Sequence, residues 1–232
     1  MNELLLSKRL ACVAAQVKPG DRVADIGSDH AYLPVYLIKT KQINFAVAGE
    51  VIKGPFETAQ RQVQKSQLQE QIMVRLADGL AAIKESDAID TIVIAGMGGQ
   101  LIASILENGW QNKQLKKTQR LVLQPNLDEN EVRLWLSGHG FGITHEEIIE
   151  EKNKIYEVIV ASPMQEAAYS EKELFFGPFL MTEKNPVFQK KWMHASHQKQ
   201  NVLKRLQLAK NPRLEKIKEL QKQLLWIKEV LQ

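Results

Sequence analysis

One cysteine in 232 residues rules out an intrachain disulfide framework and any zinc site built from clustered cysteines. No metal site is expected. Cys12 falls on the apolar face of a predicted helix, where a free cysteine behaves as a small buried residue. Such usage suits a reducing compartment, and the cytoplasm is expected. No apolar run approaches the roughly 20 residues that cross a bilayer, so no membrane contact is expected. Met1-Asn2-Glu3-Leu4 lacks a basic n-region and a long apolar core, which argues against a signal peptide. Internal repeats and low-complexity tracts are also missing.

What is present is ordinary in bulk and uneven in detail. The hydrophobic fraction of 44% is typical of a globular protein. The length allows one large domain, or a medium domain with an appendage. The net charge of +4 is divided sharply. Residues 183–232 hold 12 Lys and Arg against 4 Glu, a net +8, and residues 1–182 carry −4. An acidic body with a basic tail points to a polyanion at the tail; a solvated lysine-rich helix face is the alternative.

The organising stretch is Val23-Ala24-Asp25-Ile26-Gly27-Ser28-Asp29-His30-Ala31-Tyr32-Leu33-Pro34. A short apolar strand after Pro19-Gly20-Asp21 turns on Gly27 into a helix over 32–39. That turn brings backbone amides and a helix start near a ligand, and Gly27 removes the side chain that would block the approach. Asp25 can accept a hydrogen bond or balance a cationic ligand. Further glycines of a dinucleotide fingerprint are lacking, since Asp29 and Ala31 stand in their places. Asp29 puts a second carboxylate at the mouth. Helix N-capping is the alternative role for both aspartates.

A helix over 3–16 precedes this stretch, and a strand over 45–49 follows it, ending at Glu50. Glu50 stands 25 positions after Asp25, where an acidic residue can take ribose hydroxyls. A helix over 53–66 leads to a strand over 72–77 that ends in Asp78-Gly79, placed to meet a purine edge. The apolar strand 91–95 ends in Gly96-Met97-Gly98-Gly99, which implies close backbone approach to a ligand, and a helix over 100–107 follows. A strand over 120–123 ends in Gln124-Pro125-Asn126. Asp128 with Glu131 resembles a capping box for a helix over 128–137. Segments 143–151 and 155–161 read as an antiparallel pair turning at Asn153-Lys154. Five strand–helix repeats and a hairpin make a doubly wound α/β sheet, mostly parallel, with its acidic and glycine-rich features at one edge.

Residues 163–182 connect this sheet to two apolar series of helical spacing. One runs Phe188, Trp192, Ala195, Lys199, Val202, Leu206, Ala209; the other runs Ile217, Leu220, Leu224, Ile227, Leu231. Asn211-Pro212 between them favours an antiparallel helical hairpin over a dimerising coiled coil. Phe175, Phe176 and Phe179 are expected to pack rather than to bind bases.

Taken together, Asp25-Ile26-Gly27-Ser28-Asp29-His30-Ala31-Tyr32-Leu33-Pro34, Gly96-Met97-Gly98-Gly99 and Gln124-Pro125-Asn126 resemble the bacterial tRNA (adenine-22-N1)-methyltransferases. The resemblance covers the whole chain. It implies a Rossmann-like, class I, S-adenosylmethionine-dependent domain over 1–165 and a basic, coiled-coil-like, tRNA-binding domain over 166–232. It implies 1-methyladenosine in the D-arm of tRNA as product. A monomer that needs no protein partner is expected. Asp25, Gly27, Ser28, Asp29, His30 and Leu33 would form the cofactor turn. Glu50 and Val51 would meet the ribose, Asp78 and Gly79 the adenine, and Ala95, Gly96, Met97 and Gly98 the methionine side. The Asn-Pro-Pro-Tyr tetrapeptide of many amino-group methyltransferases is missing, so their mechanism does not transfer.

Asp29 is the expected catalytic residue, accepting from the exocyclic amine of the target base. His30 is expected to orient Asp29 or to meet the cofactor carboxylate; a capping or packing role is its alternative. Lys8, Arg9, Lys190, Lys191, Lys199, Lys204 and Arg205 are the candidate tRNA contacts. The rival readings are a methyltransferase acting on another RNA or a small molecule, and a non-catalytic RNA-binding protein. An NAD-linked oxidoreductase is disfavoured by the missing glycines.

Overall fold

The computed structural model describes residues 5–164, 168–208 and 213–232. The chain divides into two compact units, Met1–Tyr169 and Ser170–Gln232. The first holds α1 (Lys8–Ala15), β1 (Arg22–Ile26), α2 (Tyr32–Lys39), β2 (Phe45–Glu50), α3 (Lys53–Lys65), β3 (Ile72–Leu76) and β4 (Thr91–Met97). It continues with α4 (Gly99–Gln111), β5 (Arg120–Pro125), α5 (Glu129–Gly138), β6 (Phe141–Glu151) and β7 (Lys154–Pro163). The expected boundary at 165/166 lies outside the described residues.

The seven strands form one sheet in the order β3-β2-β1-β4-β5-β7-β6. The first five are parallel, with Asp25 opposite Ala48 of β2 and Val93 of β4. The chain winds outward from β1 in one direction, then returns to place β4 on β1's other side. That reversal opens a crevice above the C-terminal ends of β1 and β4. β7 runs antiparallel between β5 and β6.

Both faces of the parallel strands are covered, which is why they read as continuous apolar runs. Ala24, Ile26, Ile92, Ile94, Leu121 and Leu123 point to one face, against Ile102 and Leu106 of α4 and Val132 and Leu136 of α5. Val23, Val93 and Val122 point to the other, with Val13 of α1, Leu37 of α2 and Val63 of α3. Each fully buried Val, Leu or Ile contributes roughly 1.5–3 kcal/mol.

Several expectations are corrected. α1 begins at Lys8, because Ser7 accepts from the amide of Leu10 at 3.2 Å and caps the helix there. The predicted start of that helix, at residues 3 and 4, lies outside the described residues. Between β3 and β4 there is no α-helix, only 3-10 turns at Gly79–Ala82 and Glu85–Asp87. Asp87 binds Arg75 and the amide of Lys84, and Ala88 turns left-handed at φ 46°, which ends any helix there. Asp128 makes no side-chain cap and adopts φ 57°, while its carbonyl accepts from Glu131. The β6–β7 turn centres on Lys152-Asn153, at φ 51° and 62°, one residue before the expected pair. Two successive positive φ values suit a two-residue hairpin turn.

The second unit contains α6 (Glu171–Phe176), α7 (Leu180–Glu183), α8 (Pro186–Gln207) and α9 (Leu214–Val230). Asn185 caps α8 by accepting from Val187 and Phe188, and Pro186 takes the first helical position. α8 and α9 pack as a helical hairpin. Phe175 and Phe176 stack among Trp192, Phe188 and Trp226, so these phenylalanines form core. Buried Leu220, Ile227 and Val230 complete the apolar seam, whereas Val202 is exposed. The Asn211-Pro212 break and Ala209 lie outside the described residues.

Candidate active site

The predicted cofactor residues gather at the C-terminal edge of the parallel strands. Gly27 follows β1 at φ 73°, a conformation that costs glycine little, and Met97 lies against it: a Cβ at Gly27 would stand 2.0 Å from Met97 Cε. The amides of Gly27 and Ser28 both donate to Gly49 O, at 2.9 and 3.0 Å. This corrects the expectation that the turn offers those amides to a ligand. They lace β1 to β2 instead, so the turn forms no phosphate nest.

Asp25 is buried at the end of β1 and accepts from Ser28 Oγ at 2.5 Å. Burial pushes its pKa up to about 6, and the nearby Glu50 adds to the rise, against the Ser28 hydrogen bond and the positive charge of Arg9. Glu50 is also buried, and its Oε1 accepts from the amides of Val51 and Ile52, both at 2.9 Å. Val51 and Ile52 stand exposed beside it. Asp78 is exposed after β3, and Gly79 turns at φ 51°. Leu33 is buried in the core cluster that also holds Val23 and Val35.

Asp29, His30 and Ala31 form a single 3-10 turn into α2. His30 and Ala31 adopt φ 58° and 53°, two successive left-handed residues with side chains. Such backbone costs roughly 1–3 kcal/mol per residue and persists where surrounding structure enforces it. It sets His30 Nε2 3.2 Å from Asp29 Oδ1, with the Asp29 side chain 75% exposed. His30 is thus beside Asp29, as one of its two expected roles requires.

β4 carries an irregularity at the site. Ala95 pairs with Gln124 and Met97 with Pro125, so Gly96 bulges at φ 84°. Asn126 pins the bulge by donating from Nδ2 to Gly96 O and from its amide to Met97 O, both at 2.7 Å. Gly98 caps α4, and Gly99 packs so closely that a Cβ there would stand 2.0 Å from Asp128 O. Gln124 is fully buried and donates to Pro125 O and Asn126 Oδ1. The sequence places Gln124-Pro125-Asn126 at the end of a strand; its pinning role depends on the bulge in the neighbouring strand.

The tRNA candidates are scattered. Lys8 Nζ donates to Glu150 O at 3.0 Å, tying α1 to β6. Arg9 enters the crevice: its Nη1 donates to Gln124 Oε1, and a Cβ at Gly96 would lie 3.3 Å from the same nitrogen. In the second unit, Lys204 and Arg205 are exposed near the end of α8. Lys190 is half-buried, and Lys191 lies 5.3 Å from the Trp192 ring centroid. Lys199 is half-buried, donates to Gln223 Oε1 at 2.6 Å and has its pKa lowered by burial, so its charge is engaged inside the hairpin.

Among the described residues, no group of three or more His, Cys, Asp or Glu could hold a metal ion, and no helix is long and apolar enough to cross a membrane. A cleft of about 430 Å³ beside Lys84, Asp90 and Gln119 sits at the opposite, N-terminal edge of β4 and β5, and no candidate residue lines it.

Known proteins match this arrangement over its whole length. A curated tRNA (adenine(22)-N(1))-methyltransferase of Bacillus subtilis is 45% identical, covering 100% of this chain and 99% of the relative. The crystal structure of the B. subtilis M1A22 tRNA methyltransferase TrmK superposes with a TM-score of 0.92 at 42% identity, covering 99% and 100% of the two chains. A Streptococcus pneumoniae protein, Sp1610, solved in complex with S-adenosyl-L-methionine, gives a TM-score of 0.89 at 43% identity, covering 98% and 100%. The family described as tRNA (adenine(22)-N(1))-methyltransferase matches residues 23–229, from the first strand of the sheet through the helical hairpin, and this chain belongs to that family.

Proposed function

We infer that this chain transfers a methyl group from S-adenosylmethionine to N1 of adenine 22 in tRNA, giving 1-methyladenosine. The observation that carries the reading is the crevice above β1 and β4, where buried Asp25 and Glu50 close two adjacent strands in a chain matched across both units.

The residues fit a sulfonium nucleoside. Such a compound carries positive charge, a ribose and an adenine, and no phosphate. Asp25 is costly to ionise alone, and a neighbouring cation relieves that cost. With Oε1 held by two amides, Glu50 has a second carboxylate oxygen for ribose hydroxyls. Gly27 and Ser28 direct their amides to Gly49, which suits a ligand without phosphates. Asp78 stands beyond Glu50 on the adenine side.

Bound there, the cofactor supplies a methyl group activated by its sulfonium. Adenine N1 has a free lone pair near neutral pH, so no residue of the chain has to act as a strong base. The base gains positive charge as it gains the methyl group. Asp29, exposed at the mouth beside His30, accepts from the exocyclic amine and stabilises that charge. The target base must leave its stack to reach this depth. Lys204 and Arg205, together with Lys190 and Lys191, contribute phosphate contacts that position the tRNA without reading its sequence. The enzyme acts as a monomer in the cytoplasm.

The test is methyl transfer from labelled S-adenosylmethionine to unmodified tRNA, followed by nucleoside digestion and mass spectrometry. Label in 1-methyladenosine at position 22 is the expected result. Cofactor binding with no label in tRNA would overturn the reading.

A further inference from the structure

We propose that Leu127 is the wedge that fills the gap left in the tRNA stack when adenine 22 swings into the crevice. The proposal rests on the methyltransferase reading and gives the loop after β5 a part in opening the substrate.

The side chain stands at the mouth and is held there. Asp29 and His30 follow β1, Leu127 follows β5, and β4 runs between those two strands. The end of β4 offers little of its own, because Gly96 and Gly98 carry no side chain and Met97 is turned toward Gly27. Leu127 borders that bare stretch: a Cβ at Gly98 would stand 3.9 Å from its Cδ1. Its loop is tied at three successive residues. The Asn126 amide donates to Met97 O at 2.7 Å, Leu127 O accepts from the Gly99 amide at 2.8 Å, and Asp128 O accepts from the Glu131 amide at 3.1 Å. These bonds leave the leucine side chain 55% exposed, on backbone fixed at each neighbour. Leu101, in the first turn of α4, is exposed as well, so the start of this helix carries two large apolar groups.

Chemistry then selects the occupant. A base that leaves its stack uncovers the apolar faces of the bases above and below it. An apolar side chain inserted between them covers those faces and keeps the base from returning. The flipped base asks instead for hydrogen-bonding groups, and the crevice has them in Asp29 and His30. A phosphate asks for a cation or a free amide, and a leucine side chain has neither. Asn126, the polar neighbour of Leu127, has its Nδ2 engaged by Gly96 O. Leu127 therefore suits the emptied step of the stack.

Steady-state methylation with two tRNAs tests this: the unmodified tRNA, and one in which the nucleotide facing adenine 22 is abasic. Leu127→Ala should lower kcat on the first by roughly ten- to a hundredfold, because the cost of unstacking is no longer offset. On the second tRNA the deficit should shrink to within about threefold, since that base is already loosened. Leu127→Met should keep most of the activity, and Leu134→Ala, an equally exposed leucine on α5, should keep all of it. S-adenosylhomocysteine affinity should hold throughout. An equal deficit on both tRNAs would mean that Leu127 supports the site or touches the flipped ring, and would overturn the proposal. No deficit on either would overturn it too, as would an equal loss in Leu134→Ala. Should the Leu127 variants not fold, wild-type protein bound to tRNA with 2-aminopurine at position 22 decides: fluorescence should rise, and an unchanged signal would overturn the wedge. Wild-type protein that methylates neither tRNA would instead overturn the methyltransferase reading beneath it.

Discussion

At the scale of single residues, the two aspartates of the first motif separate by burial. Asp25 has its pKa raised from 3.8 to about 6, mainly by burial. A raised value means that the folded state holds this proton more tightly than the unfolded chain. Its contribution to stability is greatest below pH 3.8 and is lost as pH rises through about 6. Ionised at neutral pH with Arg9 beside it and no ligand bound, Asp25 costs on the order of 3 kcal/mol. Asp25→Asn should therefore raise the melting temperature of the ligand-free protein near pH 7 and leave it almost unchanged near pH 4, while weakening cofactor binding. Melts at the two pH values read this directly, and a destabilised variant near pH 7 would refute it. Asp29 is exposed and stands outside the packed core. Asp29→Ala should lower kcat by at least about a hundredfold, in the range of general acid–base and electrostatic contributions. Cofactor affinity should hold within a few-fold; comparable losses of both would reassign Asp29 to cofactor binding. The motif shows both carboxylates in the sequence, but their division of labour depends on which one the sheet covers.

At the scale of elements, the site is shaped by how strand ends meet helix starts. The bulge at Gly96 and the tight seat of Gly99 against the 127–128 loop place the start of α4 beside the crevice. The amide of Gly99 donates to Leu127 O at 2.8 Å, leaving no space for a side chain. Gly99→Ala should cost roughly 1–3 kcal/mol by forcing the loop back. Urea unfolding should show a lower midpoint at constant slope, and an unshifted midpoint would mean that the loop yields freely. Asp128, beside that contact, turns left-handed at φ 57° and makes no side-chain cap, so the capping-box spacing with Glu131 is overridden. Strand positions were legible from apolar runs because the sheet is covered on both sides. The buried group of Arg133 with Glu146 at 2.7 Å and Glu157 at 2.5 Å was not, since its members come from α5, β6 and β7. Burial lowers the Arg133 pKa, but the attraction and hydrogen bonds of the two carboxylates carry it above the ordinary arginine range.

For the molecule as a whole, charge is segregated along the chain, with −4 over residues 1–182 and +8 over residues 183–232. The +8 of residues 183–232 belongs to the helical unit, and exposed Lys204 and Arg205 are its most available cations on α8. The double variant Lys204→Glu, Arg205→Glu should weaken tRNA binding and reduce the salt slope by about one unit for each phosphate no longer neutralised. Cofactor affinity should not change. Filter binding over a salt series reads both quantities, and an unchanged slope would remove these residues from the interface.

The linear order of residues was enough for the alternating α/β layout, the crowding of acids and glycines at one sheet edge, the basic helical hairpin and the family resemblance. Each depends on local periodicity, on turn chemistry or on charge counted along the chain. Folding in three dimensions decided what those patterns leave open: that Arg9 from the first helix reaches the crevice, that the Gly27 and Ser28 amides are consumed by β2, and that Lys199 is occupied within the hairpin. These pairings join residues far apart along the chain, by as much as 115 positions for Arg9 and Gln124. Local propensity carries no information about such partners, which are chosen only when the sheet order and the packing of helices bring them within hydrogen-bonding distance.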